Sequence, residues 1–278
     1  SMPGSFGELV PLDLPEVVDR GIFVFAWPGD SAAILLWNQR SGRVLLAVGD
    51  SLRRHWRFQP IPGTPAFSEI QSADVDRDGL PELLFIDRTS RTIHVAREWA
   101  GGDTLRSLAV VASPVTPSRV IVADVNGDGF PELLVFDENE PGIQLLLNRG
   151  GRRWQPGRVI APDLPVRDVV LTYLNNDEIP DLIAFDWVRS ELHTLYGVGS
   201  GRFLDEGLYR SETGADRILL ADPRSDEPVR FLMVQNAPGE VAYWSMDDRG
   251  DLARRHRIVT GGVVRSSFLV TLDARGDA

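Results

Sequence analysis

The stretch Ala73-Asp74-Val75-Asp76-Arg77-Asp78-Gly79-Leu80-Pro81-Glu82-Leu83-Leu84 returns 50 residues later as Ala123-Asp124-Val125-Asn126-Gly127-Asp128-Gly129-Phe130-Pro131-Glu132-Leu133-Leu134. The step between the copies gives a repeat length, and their oxygen-bearing side chains give a chemistry. A worn third copy, Leu174-Asn175-Asn176-Asp177-Glu178-Ile179-Pro180-Asp181-Leu182, places Pro180 49 residues after Pro131. Fainter traces stand at 27–30, 222–227 and 273–277. Repeats of this length build solenoids, propellers or arrays.

Around each loop the order of apolar runs is the same. One short run precedes it (120–123, 169–171, 218–220) and one follows it (83–86, 133–136, 182–185, 231–234). An Asn or Asp then ends the second run (Asn38, Asp87, Asp137, Asp186, Asn236), as expected of a turn in which the side chain bonds nearby backbone. A third run comes next, then a Gly-rich turn and a weaker fourth. Runs of four to six residues, rich in Val, Ile and Phe and bounded by Gly, Pro, Asn and Asp, spell strands.

Four such strands per unit make a propeller blade, and stacked blades require middle strands that are apolar on both faces. The expectation is an all-β propeller of about five to six four-stranded antiparallel blades in one domain. The domain covers 1–278, with units at 20–67, 68–117, 118–165, 166–215 and 216–264. A partial strand at 265–278 and an N-terminal strand at 8–15 would share an incomplete closing blade.

In the first loop carboxylates fall at positions one, three, five and nine: Asp74, Asp76, Asp78 and Glu82. Gly79 permits the sharp turn, and the Leu80 carbonyl can add a further oxygen. The second loop offers Asp124, Asn126, Asp128, the Phe130 carbonyl and Glu132. An all-oxygen donor set, without His or Cys, favours Ca²⁺ over zinc, copper or Mg²⁺. An EF-hand would need Glu at position twelve, where Phe85 and Val135 stand. The bland alternative is a pair of metal-free Asx turns, against which stands the mutual repulsion of crowded carboxylates. In the third loop Tyr173 replaces the first ligand and Glu178 the Gly, leaving Asn175, Asp177 and Asp181; that loop is expected to be metal-free.

Loop, unit and step together resemble the FG-GAP/VCBS repeats of integrin α-subunit-like propellers. The resemblance implies that the loop joins the first and second strands of a blade and binds calcium. It carries over to Asp74, Asp76, Asp78, Leu80 and Glu82, and to Asp124, Asn126, Asp128, Phe130 and Glu132. The Phe-Gly and Gly-Ala-Pro signature of the family is not visible.

A formal net charge of −11 argues against nucleic acid as a partner. All 29 basic residues are Arg, and the absence of Cys excludes disulfides and thiolate sites. No apolar run is long enough for a transmembrane helix, so no membrane insertion is expected. The opening Ser1-Met2-Pro3-Gly4 reads as an expression remnant, and a leader could have been removed with the native start.

An Arg recurs just before the first strand of several units, Arg20, Arg119, Arg167, Arg217 and Arg265, while the second unit breaks the pattern with Ser68-Glu69. First strands line a propeller's channel, so these could ring its mouth opposite the acidic loops and hold a carboxylate or acidic sugar. The bland reading is solvated or salt-bridged arginines. Trp56, Trp154 and Phe203 could stack on sugars, but packing between blades is the expectation. His94 and His193 occupy matching third-strand positions, and no nucleophile, base and orienting partner assemble into a catalytic motif. Two Arg-Gly-Asp tripeptides, at 249–251 and 275–277, are expected by chance in this composition.

The reading favours a Ca²⁺-stabilised, non-catalytic binding or adhesion module that recognises a protein or glycan through its loop face. A carbohydrate-active protein is the second reading, either a lectin-like propeller or the scaffold of a lyase or hydrolase. The third is a structural segment joined to other domains of a longer chain. Millimolar Ca²⁺ would fill even modest sites, which points to a secreted, periplasmic or cell-surface home.

Overall fold

The computed structural model describes residues 17–18, 20–24, 33–49, 56–97, 106–175, 177–220, 229–247 and 249–264. The loop traces at 27–30, 222–227 and 273–277, Arg265, His55, the second Arg-Gly-Asp and the expected strands at 8–15 and 265–278 lie outside the described residues. What is described is strands and turns, with no helix long and apolar enough to cross a membrane.

Twenty strands form five four-stranded antiparallel sheets, each a simple meander in chain order. The first blade holds β1 (Arg20–Val24), β2 (Ala33–Asn38), β3 (Arg43–Gly49) and β4 (Trp56–Pro60). The second holds β5 (Glu69–Ala73), β6 (Glu82–Asp87), β7 (Thr92–Arg97) and β8 (Arg106–Ala112). The third holds β9 (Arg119–Ala123), β10 (Glu132–Asp137), β11 (Glu140–Asn148) and β12 (Trp154–Ile160). The fourth holds β13 (Val166–Thr172), β14 (Asp181–Asp186), β15 (Glu191–Gly197) and β16 (Phe203–Arg210). The fifth holds β17 (Arg217–Leu220), β18 (Arg230–Gln235), β19 (Glu240–Met246) and β20 (Leu252–Val259). The architecture is a five-bladed β-propeller.

Side-chain alternation along the second strands explains how the blades cohere. Every residue of β6, β10 and β14 is buried. Leu83 and Phe85 enter the core shared with the first blade, while Leu84 and Ile86 enter the core shared with the third. In β14, Leu182 and Ala184 face the third blade, and Ile183 and Phe185 face the fifth. A two-residue period with apolar residues on both faces thus fills two interfaces from one strand. Burying one Phe such as Phe185 is worth about 3 kcal/mol, and truncation to Ala would cost about 3–5. The outer strands β12 and β16 are largely exposed. Trp154 and Phe203, which begin them, pack against the inter-blade cores, and Trp56 lies against Gly49.

First strands touch first strands of neighbouring blades: β1 meets β5, β9 meets β13, and β13 meets β17. They are therefore the inner strands. The turns from first to second strand share one rim of the channel with the turns from third to fourth strand. The second-to-third turns lie at the opposite rim.

Candidate functional site

The two intact loops have one hydrogen-bond plan. Asp74 accepts the Arg77 N–H at 2.7 Å and the Gly79 N–H at 3.0 Å. Asp124 does the same for Gly127 at 2.8 Å and Gly129 at 2.7 Å. The position-five acids accept the N–H two residues on, Asp78 from Leu80 and Asp128 from Phe130, each at 2.9 Å. This plan winds the loop tightly around its acids, and it needs left-handed backbone at two places. Position six is Gly79 (φ 87°) or Gly129 (φ 89°), and position four is Gly127 (φ 78°) or Arg77 (φ 63°).

Carboxylate oxygens of Asp74, Asp76 and Asp78 lie within 4.8 Å of one another. In the second loop Asn126 Nδ2 donates to Asp128 at 3.1 Å and to Glu132 at 2.8 Å, drawing those groups together. The first loop's converging, acceptor-only oxygens suit a hard divalent cation and fit Ca²⁺; the second offers the same residue plan, with Asn126 needing to present Oδ1 in place of the N–H groups it turns toward the acids.

The position-nine acid is the part of the loop that the sequence leaves least legible. Glu82 and Glu132 are buried, at 5% and 0% exposure. Each accepts the N–H of position two: Glu82 from Val75 at 2.8 Å and Glu132 from Val125 at 3.2 Å. Asp181 repeats this latch in the third loop, taking the Leu174 N–H at 2.6 Å and the Gly197 N–H at 2.7 Å. The third loop also keeps the position-five bond, Asp177 accepting from Ile179 at 2.9 Å. There Glu178 holds the position-six left-handed turn (φ 61°) without Gly.

Burial pushes the Glu132 carboxyl up to about 7, aided by the negative charges of Asp128 and Asp124 and opposed by the N–H groups of Val125 and Asn148. Burial raises Asp181 as well, with help from Asp177, against the pull of the Leu174 and Gly197 N–H groups.

The loops are also fastened to the next blade. Asn148, fully buried at the end of β11, donates to the Val75 carbonyl at 2.8 Å and to the Pro131 carbonyl at 3.0 Å. Its own Oδ1 accepts the Gly151 N–H at 2.6 Å. One blade on, the Gly201 N–H reaches the Val125 carbonyl at 3.0 Å. Arg77 spans the two loops, with its guanidinium 6.0 Å from the centroid of the Phe130 ring. Loop shape and blade packing are therefore one structure at this rim.

The arginines divide at the opposite rim. Arg119 and Arg167 line one cavity of about 230 Å³ together with Arg88, Glu138 and Asp216. Arg167 is ion-paired to Glu138 and, at 2.7 Å, to Asp216, so it bridges three blades. Arg217 and Arg20 are exposed at the starts of their strands. Buried Asp168 has its carboxyl raised by burial, against the opposing charges of Arg119 and Arg217 and the Ile218 N–H at 2.7 Å. A pattern unseen in the sequence emerges here. In three blades the residue after the turn Asn or Asp reaches the start of the next blade: Gln39 to the Ser68 carbonyl at 3.2 Å, Arg88 to the Ser118 carbonyl at 2.7 Å, and Glu138 to Arg167; Trp187 instead reaches back to the Glu138 carbonyl at 3.3 Å. The Arg-Gly-Asp at 249–251 forms the turn between β19 and β20, with Asp247 accepting the N–H groups of Arg249 and Asp251.

Sheets in simple meander order, with an acid-rich turn between first and second strands, define the class of protein: a β-propeller with loop-bearing repeats. Residues 74–135 match the family model described as FG-GAP-like repeat, a span that contains both intact loops. The chain is thus a five-bladed β-propeller in which residues 74–135 are similar to an FG-GAP-like repeat. No curated protein sequence matches it.

Among solved structures it is similar to the Photorhabdus luminescens Tc holotoxin pore, with TM-score 0.55 and 16% identity over 92% of this chain and 12% of that one. It is similar to a Lactobacillus plantarum protein, with TM-score 0.55 and 9% identity over 92% and 72% of the two chains. It is also similar to a Bacteroides fragilis protein provisionally assigned as a 6-phosphogluconolactonase, with TM-score 0.53 and 12% identity over 90% and 84%. At these identities the likeness is one of fold.

Proposed function

We propose that this chain is a Ca²⁺-stabilised, non-catalytic binding module that presents a protein- or glycan-recognising face at the rim carrying the loops. The observation that carries the reading is the convergence of Asp74, Asp76 and Asp78, repeated in plan by Asp124, Asn126 and Asp128. In the first loop these three carboxylates, Glu82 and the Leu80 carbonyl would hold one ion. In the second, Asp124, Asn126, Asp128, Glu132 and the Phe130 carbonyl would hold another. Bound calcium supplies positive charge that cancels the repulsion among the acids.

The chain's own residues translate that ordering into the fold. The latch on Val75 and Val125 and the clamps from Asn148 and Gly201 connect each loop to the packing of the following blade. The module would thus be rigid where calcium is millimolar, which supports a secreted, periplasmic or cell-surface location. Attachment to other domains of a longer chain is compatible with this role.

Thermal unfolding with and without excess chelator tests the proposal. Ligand at a hundred times its Kd contributes about 2.7 kcal/mol per site, which for a chain of this size is about 5–10 °C in Tm. A melting temperature indifferent to chelator and to added Ca²⁺ would remove the calcium reading.

The second reading, a carbohydrate-active protein, draws on the cavity at the opposite rim. Arg88 and Arg119 there could hold a carboxylate-bearing sugar, whereas Arg167 is committed to Glu138 and Asp216. Saturable binding of an acidic oligosaccharide that is weakened by Arg119→Ala would favour it.

A further inference from the structure

The fourth blade carries a second cluster of ligating groups, away from the acidic loops. Asp186 ends β14 and stands directly opposite Glu191, which opens β15. His193 follows two residues on and so shares Glu191's face of the sheet. One ring nitrogen of His193 and carboxylate oxygens of Asp186 and Glu191 lie within 4.8 Å of one another.

His193 is 8% exposed. Its Nδ1 lies 2.9 Å from Asp205 Oδ2 on β16, so Nδ1–H donates, and in the neutral ring Nε2 carries the lone pair. That Nε2 is buried with no hydrogen-bond partner among the described residues.

The second blade shows what this position holds when it is satisfied. Thr92 and His94 occupy the places of Glu191 and His193. There His94 Nε2 meets Thr92 Oγ1 at 3.1 Å, and Ser90 Oγ links Thr92 at 2.6 Å to Asp87 at 2.7 Å. In the fourth blade the His193 ring lies beside Asp186 and Glu191. The fourth blade keeps the aspartate as Asp186 but sets Glu191 in place of Thr92 and Arg189 in place of Ser90, so the acids beside the ring only accept. Such a gap calls for a cation. The acids have other partners, Arg189 on Asp186 at 2.7 Å and Arg210 3.8 Å from Glu191, but these guanidinium side chains are 59% and 88% exposed and can swing into solvent. Neither serves Nε2.

We infer that Asp186, Glu191 and His193 bind a Zn²⁺ ion on the fourth blade. One imidazole and two carboxylates are ligands zinc accepts, with water completing the set. Asp205 behind the ring fixes its tautomer and orientation, as carboxylates commonly do for metal-bound His. The nitrogen ligand distinguishes this site from the all-oxygen loops.

The test is calorimetric titration of the whole chain with Zn²⁺ in excess Ca²⁺, which keeps the loops filled. The expected result is one Zn²⁺ per chain, with affinity reduced at least about tenfold in His193→Gln and Glu191→Gln, and about 10–100-fold in Asp205→Asn. His94→Gln and His256→Gln should leave it unchanged. If His193→Gln fails to fold, the loss in Glu191→Gln and a Co²⁺-induced shift of the His193 imidazole resonances in the unsubstituted protein decide the matter. Absence of stoichiometric zinc uptake, uptake that survives both His193→Gln and Glu191→Gln, or uptake abolished by His94→Gln would overturn the inference.

Discussion

Loops 74–82 and 124–132 differ from loop 173–181 in their first residue and their sixth, yet all three keep the same fastening. Glu82, Glu132 and Asp181 each take the N–H of position two. Among the described residues, only Asp74 and Asp124 also cradle the N–H groups of positions four and six. The third loop has Tyr173 at that place. The ninth position therefore belongs to the fold of every blade that has it, whether or not an ion is held. The first position is what separates a loop wound around converging acids from one that merely turns.

The sharpest way to break that comparison is to remove a fastening. Asp181→Ala leaves the part-buried N–H of Leu174 and the buried N–H of Gly197 without their acceptor and should cost about 3 kcal/mol by denaturant unfolding, equally in calcium and in chelator. Removing a cradle should behave differently. Asp124→Ala is expected to cost about 3 kcal/mol in saturating calcium but only about 1 kcal/mol in chelator, where just the loop hydrogen bonds are lost. Equal costs in both conditions would assign the cradle to the fold as well.

The pH dependence sharpens the same contrast. Without calcium the folded chain keeps a proton on Glu132 up to about 7, whereas the unfolded chain releases it near 4.5. The folded state then binds more protons across that window, so stability is greatest below it and falls as pH rises through it. Bound calcium favours the carboxylate and should abolish the slope. Melting curves at several pH values, with calcium and with chelator, read this directly. The subtlest effect is a gain: Tyr173→Asp with Glu178→Gly should give the third loop a calcium site, seen as one additional ion per chain.

Much of this architecture was legible because its signals are local. The loop acids, the turn residues Asp87, Asp137 and Asp186, and the doubly apolar second strands are each read within a few residues of chain. The rest depends on blades meeting. Asn148 fastens Val75 across 73 residues, and nothing near it in sequence announces a partner. Arg167 lies within β13, one residue past its start, and Glu138 and Asp216, which pair it, come from the blades on either side. Asp205 turns His193 into a directed ligand only because β16 folds back along β15. Gly79 marks the tight turn in the sequence, whereas the second left-handed residue at position four is not legible there, because Arg77 conceals what Gly127 displays.

Calcium titration of the chelator-stripped chain, followed calorimetrically, tests the central claim most directly. Two ions per chain are expected, falling to one in Asp74→Ala or Asp124→Ala and to none in the double substitution. No stoichiometric uptake, or a count of two that persists when both aspartates are removed, would contradict it.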